Sequence, residues 1–298
     1  MNPEPTVNTE PSANPQPSVK PERRTANQPG YLSSALRVFD LSVSEMLWSR
    51  RTIFMGLVVG APVAISLMLR LLDALGAPVF NVNGTTMAGP AIFGLMIWVF
   101  YLRFTVPVLG VFYGTSLIAD EVEDKTITYL FTRPIRKGSV LLGKYLAYLA
   151  CTIFVVLPSV VIVYLAIVPM RGSLGGSFLD LVKDLALLAI GLAAYGAVFA
   201  FIGARYKRPL LVGLIFVFGW EQVALAFPGY LRRLTVAYYL QALVPHAMPT
   251  DNVLSLVQGI FRENPSLGTS LFWLFAISGL FLWLAAASVE RKEYVLEQ

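Results

Sequence analysis

Apolar side chains along this chain fall into six long runs, Ile53–Leu72, Ala91–Ile118, Val140–Val168, Leu179–Gly203, Leu210–Phe227 and Thr269–Ser288. Each approaches or exceeds the length that an α-helix needs to cross a bilayer, about 17–25 residues. The pattern predicts an all-α integral membrane protein with six transmembrane helices. As a straight helix the second run would be roughly 42 Å long, more than a hydrocarbon core of about 30 Å. It is expected to tilt, to kink near Pro107 or to extend beyond the bilayer. Pro62 and Pro158 also lie within runs, where membrane helices tolerate proline. Ahead of the first run, between Tyr31 and Arg51, Leu32, Leu36, Phe39, Val43 and Met46 recur at spacings of four and three, with Ser33, Arg37, Asp40, Ser44 and Glu45 between them. That spacing predicts an amphipathic helix lying in the interface, with Trp48, Arg50 and Arg51 at the headgroups. Residues 1–30, rich in Pro, Asn, Ser and Thr, are read as a disordered tail.

Composition agrees with the runs. Of 298 residues 56% are hydrophobic and 14% charged, against the quarter or so expected of charged residues in a soluble domain. A single cysteine, Cys151, excludes an internal disulfide, and a single histidine, His246, excludes a multi-histidine metal site. The net charge of +5 is spread along the flanks of the apolar runs, which does not suggest nucleic acid as a partner. Sixteen Lys and Arg fall on the side of the termini and six on the other. The bias predicts a multi-pass protein of the cytoplasmic (inner) membrane with both termini cytoplasmic. The long outer loop between the fifth and sixth runs, Pro228 to Gly268, is expected to carry short helices. Leu231, Leu234, Tyr238 and Ala242 form one face, and Asp251 caps a second piece with Leu254, Val257 and Phe261.

The charged stretch between the second and third runs, Asp120 to Lys144, interrupts this apolar chain. Asp120 and Glu123 have the spacing of a capping box, and Glu121 and Asp124 add negative charge at a helix start. Val122, Thr126, Tyr129 and Leu130 share one face. Pro134 stops the helix, with Arg133, Arg136 and Lys137 at its basic end.

The acidic start, Thr126, Tyr129-Leu130, Arg133-Pro134 and the later Gly143-Lys144 resemble the cytoplasmic signature of ABC-2 type transporter permeases, with Lys125 where that family often has glycine. The likeness extends over roughly residues 31–298, taken as one six-helix domain. It implies a coupling helix that docks on a separate ATPase, with Asp120, Glu121, Glu123, Thr126, Tyr129, Leu130, Arg133 and Pro134 as its contact residues. It implies two ATPase subunits and a second permease subunit, read as a homodimer, within membrane lipids. No cofactor is expected on this chain, because ATP and Mg would sit on the ATPase. The implied function is the permease subunit of an ATP-driven exporter. A non-transporting anchor or signalling subunit of the same kind of complex is the alternative, followed by an ion-coupled carrier or channel. The apolar spans favour a lipid-like, hydrophobic or polymeric cargo.

No enzymatic site of its own is evident. Gly138 to Lys144, G-S-V-L-L-G-K, nearly matches a phosphate-binding loop, but Tyr145 replaces the magnesium-binding hydroxyl and no strand precedes it. His246 stands in an outer loop without a nucleophile beside it. Arg103 and Glu221 are the two charges nearest mid-membrane, roughly 22 and 16 Å from the cytoplasmic ends of their runs. They are expected to pair, either fixing spans two and five or lining a path, unless Glu221 reaches the outer interface. Asp180, Lys183 and Asp184 read as a solvated helix end. Gly191, Ala194, Ala197 and Ala200 form a small-residue face suited to close helix packing, within the subunit or at a dimer seam.

Overall fold

The computed structural model describes residues 31–47, 50–76, 81–82, 85–86, 88–123, 137–170, 172–227, 230–245 and 265–291. The chain begins with α1 (Tyr31–Leu47) and α2 (Arg50–Ala74). A two-residue antiparallel ladder, Asn81–Val82 against Thr85–Thr86, follows. A long rod comes next, made of α3 (Gly89–Met96), a π-helix over Ile97–Thr105, α4 (Val106–Leu109), a second π-helix over Gly110–Gly114 and α5 (Ser116–Glu123). Beyond it lie α6 (Lys137–Ile167) and α7 (Phe178–Arg205). Then come α8 (Pro209–Ile215), a third π-helix over Phe216–Glu221, α9 (Gln222–Ala226), a 3-10 turn over Tyr230–Leu234, α10 (Val236–Ala242) and α11 (Leu267–Arg291).

Among the described residues five helices are long and apolar enough to cross a membrane: Thr52–Ala74, Gly89–Ala119, Gly138–Ile167, Phe178–Arg205 and Leu267–Glu290. The remaining apolar run forms a shorter helix, Pro209–Leu225. Helicity stops at Ala226, and Phe227 is extended. Pro107 sits within α4, between two π-helical stretches. A proline ring crowds the carbonyl four residues back. The wider π turn, in which Val106 N–H reaches back to Tyr101 O, spans that crowded stretch.

Helix α7 is the hub, and its small residues are the reason. Ala194, Ala197 and Ala200 are fully or almost fully buried, and Gly191 is buried with them. A Cβ on Gly196 would enter the Tyr148 ring of α6, and one on Gly203 would meet the Thr115 carbonyl of the rod. The rod answers with Gly110 and Gly114, four residues apart, where added Cβ atoms would lie 2.9 Å from Tyr195 Cβ and 2.8 Å from Phe199 Cβ. Backbones can approach this closely only where side chains are small, which is how helices associate when lipid competes for apolar surface. The small-residue face is thus used inside the subunit. Phe199 meets Phe216 with ring centroids 6.0 Å apart, and Phe201 meets Phe281 of α11 at 5.6 Å.

Several expectations change here. Asp120 does not cap a helix: it lies inside α5, which continues the rod through Glu123. Thr115 is a single turn residue that keeps helical angles, and from Ser116 the helix runs on without a break from apolar into acidic residues. The protein-facing stripe of α1 is Ser34, Ala35, Val38 and Ser42, while Leu36 is 58% exposed. Gly143 explains the choice, since a Cβ there would lie 2.5 Å from Ala35 O and 2.8 Å from Val38 Cβ. The small face docks on protein, Leu36 and Leu41 are left outward, and Met46 packs against the core. Asp184 is fully buried, not solvated. Just before it, Asp180 and Lys183 pair at 3.1 Å and stay partly exposed. The single face expected from Leu231 to Ala242 divides at Thr235, whose Oγ1 accepts from Tyr238 N–H and starts α10. The piece capped by Asp251 and the tail 1–30 lie outside the described residues.

Candidate functional site

Among the described residues, two of the polar places are candidates for function. The first is the end of the rod. Its apolar portion ends at Ala119, and the helix adds Asp120, Glu121 and Glu123 beyond it. Thr126, Tyr129, Leu130, Arg133 and Pro134 lie outside the described residues. Where the chain is described again, Gly138, Ser139, Val140 and Leu141 are buried, and α1 lies on Gly143. The N-terminal helix is therefore anchored six residues beyond the start of α6.

The second place is a buried polar cluster where the rod, α7 and the Pro209–Leu225 helix meet. Arg103 lies near the middle of the 31-residue apolar helix Gly89–Ala119. Its Nη2 donates to Gln222 Oε1 at 2.6 Å, and its guanidinium carbon stands 5.2 Å from the Trp98 ring centroid. Glu221, 2% exposed, accepts from the Tyr195 hydroxyl at 2.6 Å and from Ala237 N–H at 3.4 Å. The expected direct Arg103–Glu221 ion pair is replaced by two neighbouring hydrogen bonds. Positions 221 and 222 point about 100° apart on a helix, so one of them can face Arg103. The other ties α7 to the first turn of α10, where a carboxylate is favoured by the exposed N–H groups. Close by, Thr105 Oγ1 is buried without a hydrogen-bond partner.

Tyrosine hydroxyls supply the remaining polar ties. Tyr145 and Tyr148 of α6 donate to the carbonyls of Ala193 and Leu192 at 2.8 and 3.0 Å, and Tyr101 shares a 3.0 Å bond with Ser159. Sequence reasoning missed Tyr195, Gln222 and the Gly110/Gly114 pair. Their signal was present, as polar tips and paired glycines inside runs that are otherwise apolar. Among the described residues no group of three or more His, Cys, Asp or Glu could hold a metal ion.

A search of curated proteins returned no match. The family profile described as ABC-2 family transporter protein matches residues 16–293 and so takes in every apolar helix, the polar cluster and the charged stretch after Glu123. This multi-pass membrane protein belongs to the ABC-2 transporter family.

Proposed function

We propose that the chain is the membrane-spanning permease subunit of an ATP-driven ABC-2 exporter. In this reading Pro209–Leu225 serves as a sixth span and both termini are cytoplasmic. Two copies of the chain enclose a path, and each engages one ATPase subunit through the segment 120–137. The match over residues 16–293 carries the reading, because it covers the spans and that segment together. The acidic extension of the rod past Ala119 supports it by setting three carboxylates beyond the apolar stretch. ATP and Mg would bind on the partner, whose closure would push this segment and switch access across the membrane. The cargo is lipid-like, hydrophobic or polymeric.

The test begins with copurification of the ATPase and with outward flux in vesicles. Glu121→Lys introduces a cation into the acidic end, and Tyr129→Ala removes an apolar anchor of the kind that carries much of an interface's affinity. Both variants should insert and dimerise normally while losing bound ATPase or its coupling to flux. Retention of full binding and full coupled activity would overturn the assignment of the segment. Cysteines placed at Ser12 and at Gln298 should be shielded from an impermeant thiol reagent in intact cells, and one at Gly175 should react; the reverse pattern would overturn the orientation.

A further inference from the structure

We infer that Arg103, with Gln222 and Trp98, is a binding site for the phosphate or carboxylate head of an amphiphilic anion. A guanidinium at mid-membrane is costly, by about 3 kcal/mol on insertion scales, and is normally retained beside a compensating charge. Among the described residues no carboxylate forms an ion pair with Arg103. The nearest candidate, Glu221, is turned into the interior and held by Tyr195 and Ala237. What Arg103 has instead is a neutral amide on one side and an aromatic face on the other. These orient the guanidinium, and the Glu221 carboxylate acts on it through space without touching it.

The arrangement is that of a receptor. Arg103 is half-buried, so its remaining N–H groups can be reached. A planar guanidinium presents paired donors that match a phosphate or carboxylate. Gln222 accepts with Oε1, which leaves its amide nitrogen as a further donor. The surroundings are apolar and open: the Trp98 ring lies against the guanidinium, and Phe104, next to Arg103 in the chain, is 43% exposed. A small free anion would leave water for this depth and gain nothing from such surroundings. An anionic head on an apolar body fits both. As a cargo site the assignment rests on the permease reading; as a binding site it does not, and the test measures binding without the ATPase.

The full chain is reduced to one tryptophan by replacing Trp48, Trp220, Trp273 and Trp283 with Phe, and is reconstituted in phosphatidylcholine bilayers. Each bilayer contains a small fraction of either acyl-brominated phosphatidylglycerol or acyl-brominated phosphatidylcholine. Trp98 fluorescence should be quenched with a preference of about tenfold for the anionic lipid. Arg103→Met should abolish the preference, Arg103→Lys should keep part of it, and Gln222→Ala should weaken it with the charge still in place. The lysine and glutamine variants keep the test valid if the methionine variant fails to fold. Dodecyl phosphate should relieve the quenching, and inorganic phosphate at the same concentration should not. Equal quenching by the two lipids, an unchanged preference in Arg103→Met or Gln222→Ala, or displacement by inorganic phosphate would overturn the proposal. So would shielding of Trp98 from both lipids, which would mean that a second copy of the chain covers the site.

Discussion

Helices α7 and α11 are nearly alike by hydropathy and opposite in setting. The mean hydropathy of the most apolar stretch is 2.4 in α7 and 2.0 in α11, yet 67% of that stretch is buried in the first and 17% in the second. The difference lies in side-chain size. On α7, Gly191, Ala194, Gly196, Ala197, Ala200 and Gly203 clear a surface for its neighbours. On α11, Phe272, Phe275 and Trp283 are each more than 60% exposed. In water, large apolar residues seek the core; in a bilayer they can face lipid at no loss, and the small ones determine which helices meet. Hydropathy thus locates the membrane, whereas residue volume locates the protein neighbours.

The sharpest way to break this contrast is to exchange volume between the two helices. Gly196→Val places its new side chain in the Tyr148 ring and should cost about 3 kcal/mol or more, seen as loss of the folded fraction on thermal denaturation in detergent. Gly279→Val on α11 has nothing within 4 Å of its new Cβ and should stay within about 0.5 kcal/mol of the parent protein. If the two substitutions cost the same, the hub assignment fails.

A smaller effect is expected where α7 carries polar chemistry. Tyr195→Phe removes the hydroxyl that donates to the buried Glu221 and should destabilise by about 1–3 kcal/mol in the same assay. In double-mutant cycles, Arg103 should couple more strongly to Gln222 than to Glu221. Stronger coupling to Glu221 would restore the direct pair expected from the sequence. The smallest change belongs to the α6–α7 seam. Tyr145→Phe leaves an aromatic ring of nearly the same shape and should cost about 0.6 kcal/mol, the usual worth of one interhelical hydrogen bond in a membrane.

Much of this architecture is legible in the sequence because apolar run length is a direct response to bilayer thickness. Five of the six runs return as long helices with bounds close to those expected, and the small-residue face of α7 is buried as close packing requires. Orientations about each helix axis were less legible. Leu36 on α1 satisfies an amphipathic period and still faces outward, because Gly143 offers room for Ala35 and Val38 instead. Asp120 resembles a cap because its spacing to Glu123 is right, but whether a helix starts there depends on whether the preceding one has ended. Arg103 hydrogen-bonds to Gln222, one residue past the Glu221 expected to pair with it, and one residue on a helix is about a quarter turn. Periodicity alone does not fix that angle when π turns precede both positions.

The seat of α1 on Gly143 also bears on biogenesis. Ala35 leaves the ribosome 108 residues ahead of the glycine it packs against, an interval of about 5–20 s at ordinary rates of synthesis. Through that interval the first helix has no docking site. Its exposed leucines, Leu36 and Leu41, can hold it on the bilayer surface while its serine-bearing side remains wet. The outward apolar face thereby acts as a temporary mooring, keeping the helix beside the translocation site until α6 has been inserted and the groove at Gly143 exists.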